Sequence, residues 1–251
     1  LAVNTAGITA FNGEVGGTAA LTSITTDAPG SVSMSGGRIK TTGAQTYNDA
    51  INLGAATTLQ GVNLALMSTV DGAQALTLSD SGTTILGSVI GGTTPLLSLT
   101  TDSLTTAAGE TQFKGSSIHV TTNAIFNDIV KVFTDVTVQA AGQLNFMQTV
   151  DADTANVRTL SLNAGNTGAI SVQGALGGHV PFKTLNVVNS EMATFTGLVT
   201  TSDSVVLSDT RNSIAFNGGL STATLSVASK PFALTLRGAV SVTNATTFAN
   251  T

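Results

Sequence analysis

Pairs of apolar residues two positions apart recur along the whole chain. They are Ile51/Leu53, Leu64/Leu66, Leu76/Leu78, Leu97/Leu99, Val130/Val132, Val136/Val138, Leu144/Phe146, Leu160/Leu162, Ile170/Val172, Leu185/Val187, Val205/Leu207, Ile214/Phe216, Leu225/Val227 and Leu234/Leu236. A period of two places alternate side chains on one face of a strand. Gly, Asn, Asp or Ser interrupts the pattern every few residues, so the strands are short and the turns many. No window carries the i, i+3, i+4, i+7 stripe of an amphipathic helix. The pattern predicts an all-β protein.

A longer rhythm overlies the short one. GGTAALTSITTD (Gly16–Asp27) returns as GGTTPLLSLTTD (Gly91–Asp102), and more weakly as GGHVPFKTLNVV (Gly177–Val188). A second block precedes it each time: LAVNTAGITAF from Leu1, LTLSDSGTTIL from Leu76 and LSLNAGNTGAISV from Leu160. Thr41–Leu59 and Thr121–Val138 share a Thr pair, an aromatic residue, Asn-Asp and apolar residues two apart, and Ala193–Leu207 keeps the aromatic residue and the apolar spacing. The order is preserved, which predicts three diverged units at about 1–75, 76–159 and 160–251 of a single segment. The tail Val242–Thr251 reads as the start of another copy, and the chain reads as a fragment of a longer array. On this reading Tyr47, Phe126, Phe195 and Phe248 mark one equivalent position per unit and lie too far apart to stack on one another.

Two architectures accept many short strands. Tandem immunoglobulin-type sandwiches need longer strands and hairpin returns. A β-solenoid coils short parallel strands so that successive turns stack about 4.8 Å apart, with every second side chain inside. Strand number, strand length and the absence of Pro-bearing linkers select the solenoid. The expectation is a right-handed parallel β-helix of roughly 10–13 turns, each of roughly 20–25 residues, forming a rod on the order of 50–60 Å long.

Composition narrows the function. Only 9% of the residues are charged and the hydrophobic fraction is 41%, so the chain folds but solvates itself with hydroxyls and amides. The net charge of −5 and the nine scattered Lys and Arg speak against nucleic acid, which needs clustered basic residues. There is no cysteine and so no disulfide or thiolate site. No apolar run reaches the length of a membrane span.

Candidates for chemistry are few. Asp151 and Asp153 form the tightest acidic pair and are the candidates for a Ca²⁺ contact; an Asx-rich turn is the reading the sequence favours. Asn48-Asp49 and Asn127-Asp128 recur, and a turn or strand-end role is again preferred. His119 and His179 lie outside metal-binding spacings, and no nucleophile elbow surrounds Ser116 and Ser117 beside His119. Thr-Thr pairs point to opposite faces, which argues against the Thr-x-Thr lattice of an ice binder. No catalytic, cofactor-binding or metal residue is assigned, and no cofactor is expected.

The phrases GGTTPLLSLTTD, TTGAQTYNDAINLGAATTL and GAQALTLSDSGTT resemble the tandem repeats of large bacterial surface proteins of filamentous-haemagglutinin type. That resemblance implies a secreted, non-catalytic, extracellular β-helical shaft at the cell surface, acting in adhesion or filament formation. Its partners would be further repeats or a second subunit stacked head to tail, and surface or matrix glycans. The alternatives are a carbohydrate-active β-helix enzyme, which needs several acids and bases stacked on one face, and an ice- or glycan-binding β-solenoid.

Overall fold

A computed structural model describes residues 1–101 and 109–250; Asp102, which ends the second Gly-Gly phrase, and Thr251 lie outside them. The chain is an all-β parallel β-solenoid of about 12 turns. It divides into two compact units, Leu1–Thr121 and Thr122–Thr251.

In the first unit each turn contributes three short segments, one to each of three faces. The first face stacks Ala2–Val3, Ile24–Thr26, Gln45–Tyr47, Leu64–Leu66, Thr83–Leu86 and Glu110–Phe113. The second stacks Ile8–Phe11, Ser31–Met34, Ala50–Leu53 and Val70–Asp71, and continues through bridges to Ile90 and Ile118. The third stacks Arg38–Lys40, Thr57–Gln60, Ala75–Ser79 and Ser98–Thr101. The second unit repeats the plan, but Phe182–Phe195 and Val199–Phe216 run on through corners as continuous strands. Their ladder absorbs the bends as register shifts at Phe182/Thr184 and Ser190/Met192. These two strands are far longer than the alternation suggests.

The core is the stack of inward side chains. Leu76 sits between Thr57 and Leu99, and Leu78 between Leu59 and Thr101. Twelve of the fourteen apolar pairs are buried at both members. Leu97/Leu99 breaks the rule: Leu97 is 44% exposed and Leu96 is buried instead, because the chain leaves the ladder just before Leu97. Leu234/Leu236 is only half-buried. The Thr-Thr pairs divide as their alternation demands: Thr57, Thr84, Thr101 and Thr201 are inside, while Thr58, Thr83, Thr100 and Thr200 are only partly covered. Two internal hydroxyls pair across turns, Thr201 Oγ1 donating to Thr222 Oγ1 at 2.8 Å, while Thr57 Oγ1 donates to Ala55 O at 2.9 Å. A buried hydroxyl needs such a partner.

The aromatic residues require a correction. Phe126 stacks on Phe146 at 4.9 Å and Phe195 on Phe216 at 4.8 Å between ring centroids. Each pair belongs to neighbouring turns of one face. Counted in strand segments, Tyr47, Phe126, Phe195 and Phe248 are unequally spaced, so they do not mark one equivalent position per unit. Phe126 and Phe195 each find a stacking partner one turn away, far closer along the chain than the next repeat unit.

Tyr47 has a different role. It is buried, its hydroxyl donates to Gln45 Oε1 at 2.8 Å, and the Gln45 amide donates in turn to Gln60 O at 2.8 Å. Burial drives the Tyr47 hydroxyl well above the ordinary phenol range, so it stays a neutral donor inside the coil.

Candidate functional site

The repeated Gly-Gly phrase is a loop of one geometry, built three times. Val15 pairs with Ile39 and Leu21 with Thr41; Ile90 pairs with Ile118 and Leu96 with Val120. Leu176 pairs with Val199, and Phe182 with Thr201. In each case a longer stretch of one turn spans a shorter stretch of the next, so extra chain is extruded from the wall. The apolar residues at both feet hold the loop to the core: Ile90, Leu96, Leu176 and Phe182 are all fully buried.

The first glycine is demanded twice. Gly16, Gly91 and Gly177 have φ of 78°, 69° and 69°, the left-handed region that side chains disfavour. A β-carbon on Gly91 would also stand 2.2 Å from His119 O, and one on Gly177 2.3 Å from Thr200 O.

Behind two of the loops stands an aspartate from the preceding turn. Asp71 Oδ1 accepts the N–H groups of Thr93 and Thr94 at 2.8 and 2.9 Å. Asp151 Oδ1 accepts those of His179 and Val180 at 3.0 and 3.1 Å, and its Oδ2 lies 3.3 Å from His179 Nδ1. Both aspartates end the phrase Thr-Val-Asp, at Thr69–Asp71 and Thr149–Asp151. This second copy of the anchor was legible in the sequence, since the identical phrase precedes the loop in both units. Successive N–H groups around one carboxylate oxygen form an anion nest, here filled from within the protein.

These contacts locate the remaining candidates. Asp151 is committed to the loop, and Asp153 pairs with Arg158, Nε to Oδ1 at 2.6 Å and Nη2 to Oδ2 at 3.1 Å. The two carboxylates thus serve different partners and do not form one cation site. His179 is an exposed loop residue whose side chain is 79% accessible. His119 lies on the Ser117–Val120 strand among outward positions, and no hydrogen bond joins it to Ser116 or Ser117. Among the described residues no group of three or more His, Cys, Asp or Glu could hold a metal ion. Nor, among the described residues, is any helix long and apolar enough to cross a membrane.

Comparison with protein families, curated proteins and solved structures finds no match to this chain.

Corner Asx residues carry structure. Asn63 Oδ1 accepts the Thr83 N–H at 3.0 Å, Asn123 Oδ1 that of Gln143 at 2.8 Å, and Asp135 Oδ1 that of Thr159 at 2.9 Å. Each pins the corner of the next turn. On the outer third face Thr58, Thr77 and Thr100 stand in single file, with Lys40 and Gln60 alongside; Ser79, next to Gln60 in the ladder, is buried. A file one threonine wide is not a two-dimensional hydroxyl lattice.

The anchors also set the phase of the repeat. With each strand counted as one segment and each Gly-Gly loop with both its feet as one, Val15 to Ile90 is eleven segments. The strands Ala2–Val3 and Ala75–Ser79 are likewise eleven apart. With three segments to a turn, eleven falls one short of four turns. Within the first unit the loop accordingly moves from the third face, at Val15, to the second, at Ile90. A loop carried by this repeat is displayed on different sides, so the loops do not line a single one-sided groove.

Proposed function

We propose that this chain is a non-catalytic structural segment of an extracellular bacterial surface protein, a shaft or filament element of filamentous-haemagglutinin or large-adhesin type. The observation that carries the reading is the mode of burial. Within the first unit an interior turn is covered by the turns on either side, Leu78 being fully buried between Leu59 and Thr101. A coil that buries itself turn upon turn lengthens by adding turns, which suits a shaft whose further turns come from the same chain or from a second copy stacked head to tail. The outer faces carry files of hydroxyls and amides, a surface suited to contact with glycans.

Light scattering and electron microscopy of Leu1–Thr251 on its own test the proposal. End-to-end association into filaments is the expected result. A stable monomer with no tendency to associate would count against it.

A further inference from the structure

Asp49 belongs to the recurring Asn-Asp phrase, and its carboxylate has no assigned task. It is 2% exposed, and neither carboxylate oxygen has a hydrogen-bond partner. An ionised carboxylate removed from water without a partner costs several kcal/mol in a protein interior. Something must therefore neutralise it.

The surroundings of Asp49 are oxygens. The corner of the first turn, residues 5–7, and Gly30 from the second turn close round it. The position that a β-carbon on Gly30 would occupy lies 2.6 Å from Thr5 O, 2.7 Å from Asp49 Oδ1 and 3.0 Å from Gly7 O. Gly30 is not in the left-handed region, so space and not conformation requires glycine there. A second carboxylate holds the rim: Asp27 Oδ1 accepts the Thr5 N–H at 2.9 Å. The Gly7 N–H is held by Thr5 Oγ1 at 3.1 Å, and Gly7 O accepts the Ser31 N–H at 3.1 Å. Three successive turns thus contribute oxygens to one corner, one of them a buried carboxylate without a donor.

We propose that this corner binds a hard divalent cation, Ca²⁺, through the Asp49 carboxylate and the carbonyl oxygens of Thr5 and Gly7, with water completing the shell. Ca²⁺ takes such mixtures of carboxylate and carbonyl oxygens in irregular geometry, whereas Mg²⁺ demands a near-ideal octahedron and yields its water reluctantly. A single coordinating carboxylate makes a site of low charge, so the dissociation constant falls at about 10⁻⁴–10⁻³ M, the range of extracellular Ca²⁺ modules. Ca²⁺ bound here clamps the first three turns together. The assignment does not depend on the chain being an adhesin.

Isothermal titration of Leu1–Thr251 with CaCl₂, beside thermal melting in CaCl₂, MgCl₂ or EDTA at matched ionic strength, tests the site. One Ca²⁺ per chain is expected, with a melting temperature that rises with Ca²⁺ and much less with Mg²⁺. Asp49→Asn should weaken binding at least tenfold, and Asp151→Asn should leave it within twofold. Gly30→Ala, which places a methyl group among the three oxygens, should also abolish the Ca²⁺ response, and it keeps the test alive if Asp49→Asn does not fold. No Ca²⁺ response of the parent protein up to several times the expected dissociation constant would overturn the proposal. So would an undiminished response in a folded Asp49→Asn, or an infrared protonated-carboxyl band, absent from Asp49→Asn, that persists in saturating Ca²⁺.

Discussion

Phe126 and Phe146 lie face to face in successive turns, with ring centroids 4.9 Å apart and planes tilted by 18°. The spacing matches that of neighbouring strands, so the rings stack because the strands do. Phe146 is 1% exposed. Phe146→Ala should lose about 3–5 kcal/mol, as buried Phe truncations do, and Phe146→Leu less than half of that. Urea denaturation measures both. Equal losses would mean that the ring contact, and not apolar bulk, supplies the stabilisation.

The alternation of Leu76, Thr77 and Leu78 makes a sharper prediction about the core. Leu76 and Leu78 are buried and Thr77 faces outward. Leu78→Asp should leave the chain unfolded or aggregated, because the charge would sit unpaired in a dry core. Thr77→Asp should change stability by about 0.5 kcal/mol or less. Comparable damage at both positions would show the register to be wrong.

The Gly-Gly loop depends on a carboxylate one turn away. Asp151→Ala removes the acceptor of the His179 and Val180 N–H groups. Losing such a cap costs about 1 kcal/mol. Amide exchange at residues 179 and 180 should accelerate, while exchange at Leu160 and Leu162 in the core stays unchanged. Asp71→Ala should act in the same way at Thr93 and Thr94. Unchanged exchange at the loop amides would count against the pinning role.

The Asp153–Arg158 pair is the protein's clearest pH-dependent contact. The hydrogen bonds from Arg158 hold the Asp153 carboxyl below the ordinary carboxylate range. Asp153 is thus more readily ionised in the folded chain than in the unfolded one. Its contribution is fully present above the unfolded pKa of about 3.9 and disappears as pH falls through the lower folded value. Asp153→Asn should cost under about 1 kcal/mol at pH 7, in keeping with a partly exposed pair. The difference from the parent should shrink as pH falls below the ordinary carboxylate range and close once Asp153 is protonated in the folded chain. A gap that persisted at pH 2 would assign the effect to packing.

Much of this fold was legible in the alternation alone. Pairs such as Leu160/Leu162 and Val205/Leu207 gave the strands, and their number and shortness favoured stacked coils over sandwiches. Positions governed by contacts one turn away escaped. Phe146 is the neighbour of Phe126 only because the turn between them carries no extruded loop, and turn length varies along the chain with each inserted loop. Gln45 looks like a surface residue and is fully buried, because Tyr47 beside it carries a hydroxyl that needs an acceptor. Leu97 looks like core and is outside, because the Gly-Gly loop shifts the alternation before it. The Asn-Asp phrase was visible, but the burial of Asp49 was not, since a sequence does not reveal that Thr5, Gly7 and Gly30 close over it.

Stacking in register is the central claim, and the absence of cysteine allows it to be measured cleanly. Thr58 pairs with Thr77, and Thr77 with Thr100, all on the outer side of one face. Cysteines placed pairwise at these positions and labelled with pyrene would stand about 4.8 Å apart, the spacing of neighbouring strands. Strong excimer emission is predicted for Thr58→Cys/Thr77→Cys and for Thr77→Cys/Thr100→Cys, and far less for Thr58→Cys/Leu97→Cys, whose positions are not paired. Excimer emission that is absent from both stacked pairs in the folded protein, or equally strong in all three, would contradict the parallel coil.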